Sequence, residues 1–215
     1  MPIHATPKIA FLAKSFKKEQ PFRLLDVGAG NHSPSKTKRL FPQCEYQGVD
    51  WGSDYDYSPA DREAMTKFYS KDLTQLEFGD IPDNYFDFIM MAHIIEHLHN
   101  GDAVIAALLP KLRAGGYIYI EYPGEKSTRL PSMRGSLNFH DDVTHVRVYK
   151  HKEVADWLRA GGLKVLWQGT RRSWPYVLSL PFRAVASLLK RGYVQGNVFW
   201  DLLGFAEGVY ARKEG

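Results

Sequence analysis

The chain has 215 residues, of which 44% are apolar, 24% charged and 13% aromatic. That balance belongs to a folded globular domain long enough to bury a core without staples, and it excludes a collagen-like chain, a low-complexity tract and a disulfide scaffold. Cys44, the one cysteine, cannot close an internal disulfide, which fits a reducing compartment and excludes a Cys-rich zinc site. The net charge of +4 is unevenly spread. Between Glu45 and Asp87 eleven acids stand against Arg62, Lys67 and Lys71, while basic clusters lie at 36–39, at Arg171 and Arg172, and at Lys190 and Arg191. Such a split points to an acidic mouth with basic flanks.

In chain order, Ile9 to Lys18 reads as a helix within an N-terminal helical extension over residues 1–20. This stretch has no apolar leader segment, and no segment reaches the roughly 18 apolar residues that span a bilayer, so the expected location is cytoplasmic. Arg23 to Val27 is an apolar run stopped by glycine, a buried strand. Ser35 to Leu40 reads as a short helix, Cys44 to Asp50 as a strand, Asp54 to Asp61 as a polar aromatic loop, and Lys67 to Ser70 as a short strand. Tyr85 to Met91 is a continuous apolar strand. Asp102 to Arg113 reads as a helix with Gly115 and Gly116 as its stop signals, followed by a strand from Tyr117 to Tyr122. A long loop from Gly124 to Asp142 precedes a helix from His151 to Ala160 and a strand from Leu163 to Trp167. Pro175 to Lys190 is helical material interrupted at Pro181, and Phe205 to Arg212 is a last strand. Strands alternating with helices predict an α/β fold: a doubly wound, Rossmann-like, mostly parallel sheet with helices on both faces. We expect one domain over 1–215, with an acceptor loop at 124–150 and a helical lid or interface insertion at 174–200.

The most informative segment is Leu24-Leu25-Asp26-Val27-Gly28-Ala29-Gly30-Asn31, a buried strand running into Gly-x-Gly. Glycine there permits a tight turn and close approach of a ligand. A dinucleotide loop would carry a third glycine where this chain has Ser33, and Asp26 would repel a pyrophosphate. Asp50, 22 residues beyond Gly28, ends the second strand, where a carboxylate can accept both ribose hydroxyls of a nucleoside. Asp72 ends the third strand candidate and is placed to accept from an adenine amino group.

These segments, with Gly48-Val49-Asp50, Lys71-Asp72-Leu73, Phe86 to Leu98 and Leu109 to Ile118 in that order, resemble a class I S-adenosylmethionine-dependent methyltransferase of small-molecule or glycan type over about two-thirds of the chain. The resemblance implies S-adenosylmethionine as cofactor. Gly28 and Gly30 would pass under its methionine part, with Asp26 near the ammonium. Asp50 would hold the ribose, Asp72 and the Leu73 backbone would read the adenine, and Met91 and Ala92 would lie beside the sulfonium. Ala29, Trp51 and His97 join the same cofactor-binding set. One departure is His32, where many members have a third glycine.

His93-Ile94-Ile95-Glu96-His97 also fits an inverted zinc-protease pattern, since two histidines four apart share a helix face. The segment, however, directly follows the fourth strand, where the methyltransferase pattern has its own Glu-His-Leu, and no acid-bearing ligand helix follows. We therefore expect no metal, and we expect Glu96 and His97 to begin a helix beside the cofactor. A magnesium site at Asp141 and Asp142 would lack further oxygen ligands.

The segment from Phe139 to Tyr149 holds two histidines, two acids and an arginine within eight residues, a plausible acceptor site. Transfer to a hydroxyl requires loss of a proton, and an imidazole titrates near neutrality, so His140 or His145 is the candidate base, with Asp142 to orient it. The partner is then a small molecule or glycan, methylated on oxygen. The run from Trp174 to Arg191 is aromatic, apolar and basic, and suits a lid, a dimer face or peripheral contact with anionic lipid at the inner membrane face. The alternatives are a nicotinamide-dependent oxidoreductase and a catalytically silent nucleoside-binding module. Nucleic acid is not the expected acceptor: the fourth strand ends in Met91-Ala92-His93-Ile94, not in the Asn/Asp-Pro-Pro-aromatic sequence of amino-methylating DNA enzymes.

Overall fold

The computed structural model describes residues 7–52 and 57–215. Its framework is a seven-stranded sheet of β1 (Phe22–Val27), β2 (Cys44–Asp50), β3 (Lys67–Ser70), β4 (Phe86–Ala92), β5 (Leu112–Pro123), β6 (Leu163–Thr170) and β7 (Ala206–Lys213). The spatial order is β3-β2-β1-β4-β5-β7-β6. All pairs are parallel except β7, which runs antiparallel to both β5 and β6. The helices are α1 (Pro7–Ser15), α2 (Ser33–Leu40), α3 (Pro59–Ala64), α4 (Gly101–Leu108), α5 (His151–Ala160), α6 (Trp174–Leu178), α7 (Leu180–Arg191) and α8 (Trp200–Leu203). This is the doubly wound architecture that the alternation predicts.

The central strands read as continuous apolar runs because both faces are covered. Ile89, Met91, Ile118 and Ile120 point into one core with Val104, Ile105 and Leu108 of α4 and Val154, Ala155 and Leu158 of α5. Their neighbours Phe88, Met90 and Tyr119 point the other way, against Ile9, Phe11 and Leu12 of α1. Helix α1 is thus part of a core layer: the Phe11 ring stacks 4.0 Å from that of Tyr119, and Phe16 stacks 4.1 Å from Phe22.

The structure corrects four expectations. The helix predicted over 102–113 ends at Leu108, because Pro110 brings no N–H to continue it, and a single 3-10 turn over Leu109–Lys111 leads into β5. Gly115 and Gly116 are not its stop signals. They lie in β5, whose pairing with β4 jumps from Phe86↔Leu112 to Phe88↔Tyr117, so the glycines belong to an irregularity that Gly115 (φ +75°) turns. The loop predicted over Asp54–Asp61 falls partly outside the described residues, and its end is helical: Ser58 and Asp61 cap the start of α3 reciprocally. Glu96 and His97 form a 3-10 turn, Ile95–His97, and the helix starts only at Gly101. The insertion between β6 and β7 breaks at Ser179, one residue before α7, with Pro181 tolerated in the first turn of the new helix. Among the described residues, no helix is long and apolar enough to cross a membrane.

Candidate functional site

The sheet's strand order reverses between β1 and β4, and open α/β sheets bind ligands at such a crevice. A cavity of about 610 Å³ opens there. One side is formed by Gly28, Gly30, Asn31, Asp50, Ala92 and Ile94. The other is formed by His93, His97 and Glu121, roofed by Arg171, Tyr176, Arg183, Asn197, Trp200 and Asp201 from the insertion and its approach.

The glycine turn is built as its sequence requires. Gly28 has φ +78°, and a Cβ there would stand 2.0 Å from Ile94 Cδ1, so both backbone and space demand glycine. Ala29 is buried and close to Gly48, whose own Cβ would fall 2.9 Å from it. The departure at the third glycine has a structural counterpart. Asn31 and His32 both adopt left-handed φ of 55°, the region glycine enters freely. His32 is held there by a 2.7 Å bond from Nδ1 to Asp61. Burial would raise the Asp61 pKa, but bonds from His32, Ser35 and Ser58 hold it well below the usual carboxylate range.

Asp26 is fully buried beneath the turn. Its Oδ2 accepts from Tyr46 Oη at 2.5 Å and from Ser33 Oγ, and the Lys8 ammonium lies 3.7 Å away. Its Oδ1 has no protein partner. Asp50 lines the cavity, and its partial burial raises its pKa, offset in part by the Trp51 N–H at 2.8 Å. Four of the other predicted cofactor residues, Trp51, Asp72, Leu73 and Met91, do not line it. Trp51 is 75% exposed, Leu73 is buried, and Met91 sits in the core. Asp72 caps a 3-10 turn, accepting from Thr74 N at 2.9 Å and Thr74 Oγ1 at 2.6 Å, which lowers its pKa. Ala92 and His97 line the cavity.

The acceptor loop divides sharply. Asp141 is a structural clamp: it accepts from the backbone N–H groups of Met133, Leu137 and Asn138 and from Ser132 Oγ. Burial works against ionisation, yet those donors bring its pKa down to about 2. His140 is exposed and does not line the cavity. His145 is turned inward: its Nδ1 bonds the Phe139 carbonyl at 2.6 Å, its Nε2 lies 3.9 Å from Asp142, and its ring is 4.8 Å from that of His97.

The sequence reading missed a buried charge network on the far wall. Arg171 Nη1 donates to Asp201 at 2.7 Å, and Arg171 Nε lies 3.2 Å from Glu121. His93, at the end of β4 with φ +59°, reaches Glu121 at 3.1 Å and Glu96 at 3.2 Å. Burial alone would lower the His93 pKa, but its two carboxylate partners lift it to about 9. Burial alone would raise that of Glu121, but Arg171 and His93 hold it at about 2. The available signal was Glu121, a lone charge inside the apolar run Ile118 to Tyr122, since a charge in a buried strand needs a partner.

A methyltransferase-domain family profile matches residues 4–168, so the chain belongs to that family and is an enzyme of it. No curated protein sequence matches the chain. Solved structures agree on the fold. One is a SAM-dependent methyltransferase from Archaeoglobus fulgidus: 17% identity, 98% of this chain and 96% of that one covered, TM-score 0.61. A second, the S-adenosylmethionine-dependent methyltransferase from Mesorhizobium loti, has 12% identity, coverage of 98% and 100%, and TM-score 0.66. A third, the Burkholderia thailandensis 1,6-didemethyltoxoflavin-N1-methyltransferase with its acceptor and S-adenosylhomocysteine bound, has 16% identity, coverage of 100% and 79%, and TM-score 0.62. The family match removes the oxidoreductase alternative.

Proposed function

We propose that this enzyme transfers the methyl group of S-adenosylmethionine to an oxygen of a small-molecule or glycan acceptor. The observation that carries this reading is the single cavity shared by the glycine turn, Asp50 and the polar wall from His93 to Arg171. The residues fit the cofactor. Gly28 and Gly30 leave room for it, Asp50 offers a carboxylate to its ribose, and the orphaned Asp26 Oδ1 is a buried acceptor beneath the turn for its ammonium. Lys8, at the cavity rim, offers a cation to its carboxylate. When bound, the cofactor supplies an electrophilic methyl group on sulfur.

The wall supports an uncharged acceptor. Arg171 is taken by Glu121 and Asp201, His93 by Glu96 and Glu121, and Arg183 by the carbonyls of Tyr176 and Val198. Among the described residues of that wall, Arg171 and His93 are matched by carboxylates, and polar edges remain for hydroxyls. The wall's work is to align the acceptor and exclude water, which supplies much of the acceleration of an in-line displacement. The acceptor's proton leaves on the side where His97, beside His145, reaches the cavity; His140 faces solvent away from it. The row Leu178, Phe182, Val185 and Leu189 on α6 and α7 is exposed, with Lys190 and Arg191 at its end, and supports peripheral contact with anionic lipid.

The test is calorimetric titration with S-adenosylhomocysteine, with NADH as control and Asp50→Ala as paired variant. The expected result is micromolar binding that the variant weakens at least about tenfold, for a loss near 1.4 kcal/mol. Binding of NADH instead, or none of either, would refute the reading.

A further inference from the structure

The 3-10 turn after β4 and the acceptor loop are pinned together by the backbone. The Glu96 carbonyl accepts from Val146 N at 2.8 Å and from Arg147 N at 3.2 Å. This pinning brings together three side chains with metal-ligating atoms. A carboxylate oxygen of Glu96 and one ring nitrogen each from His97 and His145 all lie within 4.8 Å of one another. We propose that Glu96, His97 and His145 hold a first-row divalent transition-metal ion at the acceptor side of the cavity.

Three independent features support a built site. Glu96 is fully buried, and while its Oε1 meets His93, its Oε2 has no protein partner. A buried carboxylate oxygen left bare is costly, and a cation answers that cost directly. Both imidazoles are oriented through Nδ1. That of His145 faces the Phe139 carbonyl at 2.6 Å, and that of His97 meets Thr144 Oγ1 at 2.9 Å. An Nδ1–H held by a carbonyl fixes the tautomer whose Nε2 carries a free lone pair, the arrangement by which second partners orient metal-binding histidines. Finally, Asp142 Oδ2 lies 3.9 Å from His145 Nε2 and sets a second carboxylate beside the three.

The donor set selects the class of ion. Magnesium and calcium take oxygen ligands, whereas two imidazoles and one carboxylate suit zinc and its first-row neighbours and leave coordination positions open. His97 lines the cavity, so an open position faces the acceptor. The inference deepens the methyl-transfer reading and rests on it for its purpose: the ion's charge lowers the pKa of a coordinated hydroxyl, whose proton passes to water, so that the oxygen meets the methyl group as an anion. The histidine expected as a base would then act as a ligand.

The experiment is titration of the chelator-treated 215-residue chain with Zn²⁺, and separately with Mg²⁺, alongside Glu96→Gln, His97→Ala and His145→Ala. Far-ultraviolet circular dichroism of each variant reports folding, and S-adenosylhomocysteine titration of the parent tests the cofactor site. The expected result is one Zn²⁺ per chain, at least about tenfold weaker in each folded variant, with Mg²⁺ unable to compete. No stoichiometric Zn²⁺, or equal Zn²⁺ affinity in the variants, would overturn the site. Should Glu96→Gln fail to fold, His145→Ala, on the loop, carries the test. Zn²⁺ binding without S-adenosylhomocysteine binding would sink the methyl-transfer reading and leave the metal. The reverse would sink the metal alone.

Discussion

Replacing Arg171 by leucine removes the guanidinium that serves both Glu121 and Asp201. Arg171 Nη1 lies 2.7 Å from Asp201, and Arg171 Nε lies 3.2 Å from Glu121. The side chains of all three are less than 10% exposed, so the charges are held largely by one another. Breaking a buried pair from one side costs about 3–5 kcal/mol, because the partner charge stays behind. In a chain of this length each kcal/mol lowers Tm by about 2–4 °C, so Arg171→Leu should melt about 6–20 °C below the parent. The cost should also depend on pH in a fixed direction. In the parent, Arg171 and His93 hold the Glu121 pKa at about 2 against its burial, so that stability is present above the ordinary glutamate range and lost as pH falls through about 2. Without Arg171 the Glu121 pKa rises, so the penalty should be larger at pH 7.5 than at pH 5. Urea unfolding at the two pH values measures both quantities, and adding Asp201→Asn to Arg171→Leu should recover part of the loss. A penalty below about 1 kcal/mol at pH 7.5, or no relief on neutralising Asp201, would refute the view that these charges are mutually dependent.

Three further outcomes follow from single contacts. A Cβ at Gly101 would stand 2.5 Å from Tyr149 Oη, which itself donates to the Leu98 carbonyl at 2.7 Å, so Gly101→Ala should cost about 1–3 kcal/mol in urea unfolding and less in a Tyr149→Phe background. Asp141, with its pKa held at about 2, contributes stability above the ordinary aspartate range. That stability fades as pH falls toward 2, and urea midpoints at pH 6 and pH 3.5 should differ less in Asp141→Asn than in the parent. Burial raises the Asp50 pKa, so S-adenosylhomocysteine affinity should begin to fall on acidification at a higher pH than an ordinary aspartate would dictate, and the extra dependence should vanish in Asp50→Asn.

The parallel half of the fold was legible because its signals are local. β2, β3 and α5 match their predicted bounds, the apolar runs of β1 and β4 are placed to within one residue, and α5 carries a clear amphipathic period with Gly161 and Gly162 behind it. Gly115 and Gly116 misled for the same reason. A glycine pair after a helical pattern reads as a cap, and only the pairing of Leu112 with Phe86 reveals that the strand has already begun. The sequence leads to the expectation that Glu96 and His97 begin a helix beside the cofactor. In the structure they belong to a single 3-10 turn, Ile95–His97; His93 before it turns toward Glu121, and His97 turns toward the acceptor loop.

The two halves of the cavity differ in legibility because they are made in different ways. The cofactor side uses the ends of adjacent parallel strands, so residues a few positions past each apolar run, Gly28, Asp50 and Ala92, arrive together by register alone. The acceptor side is assembled from segments that no register links: Glu121 lies near the end of β5, Arg171 follows β6, and Asp201 lies in α8. What unites them is the penalty for an unpaired buried charge, which acts at any sequence distance. That same penalty ties Glu121 through His93 to Glu96, whose bare oxygen is where this chain of pairings stops within the protein. A network that pairs each inner charge and leaves one carboxylate oxygen open near two oriented imidazoles is the arrangement that the proposed cation would complete.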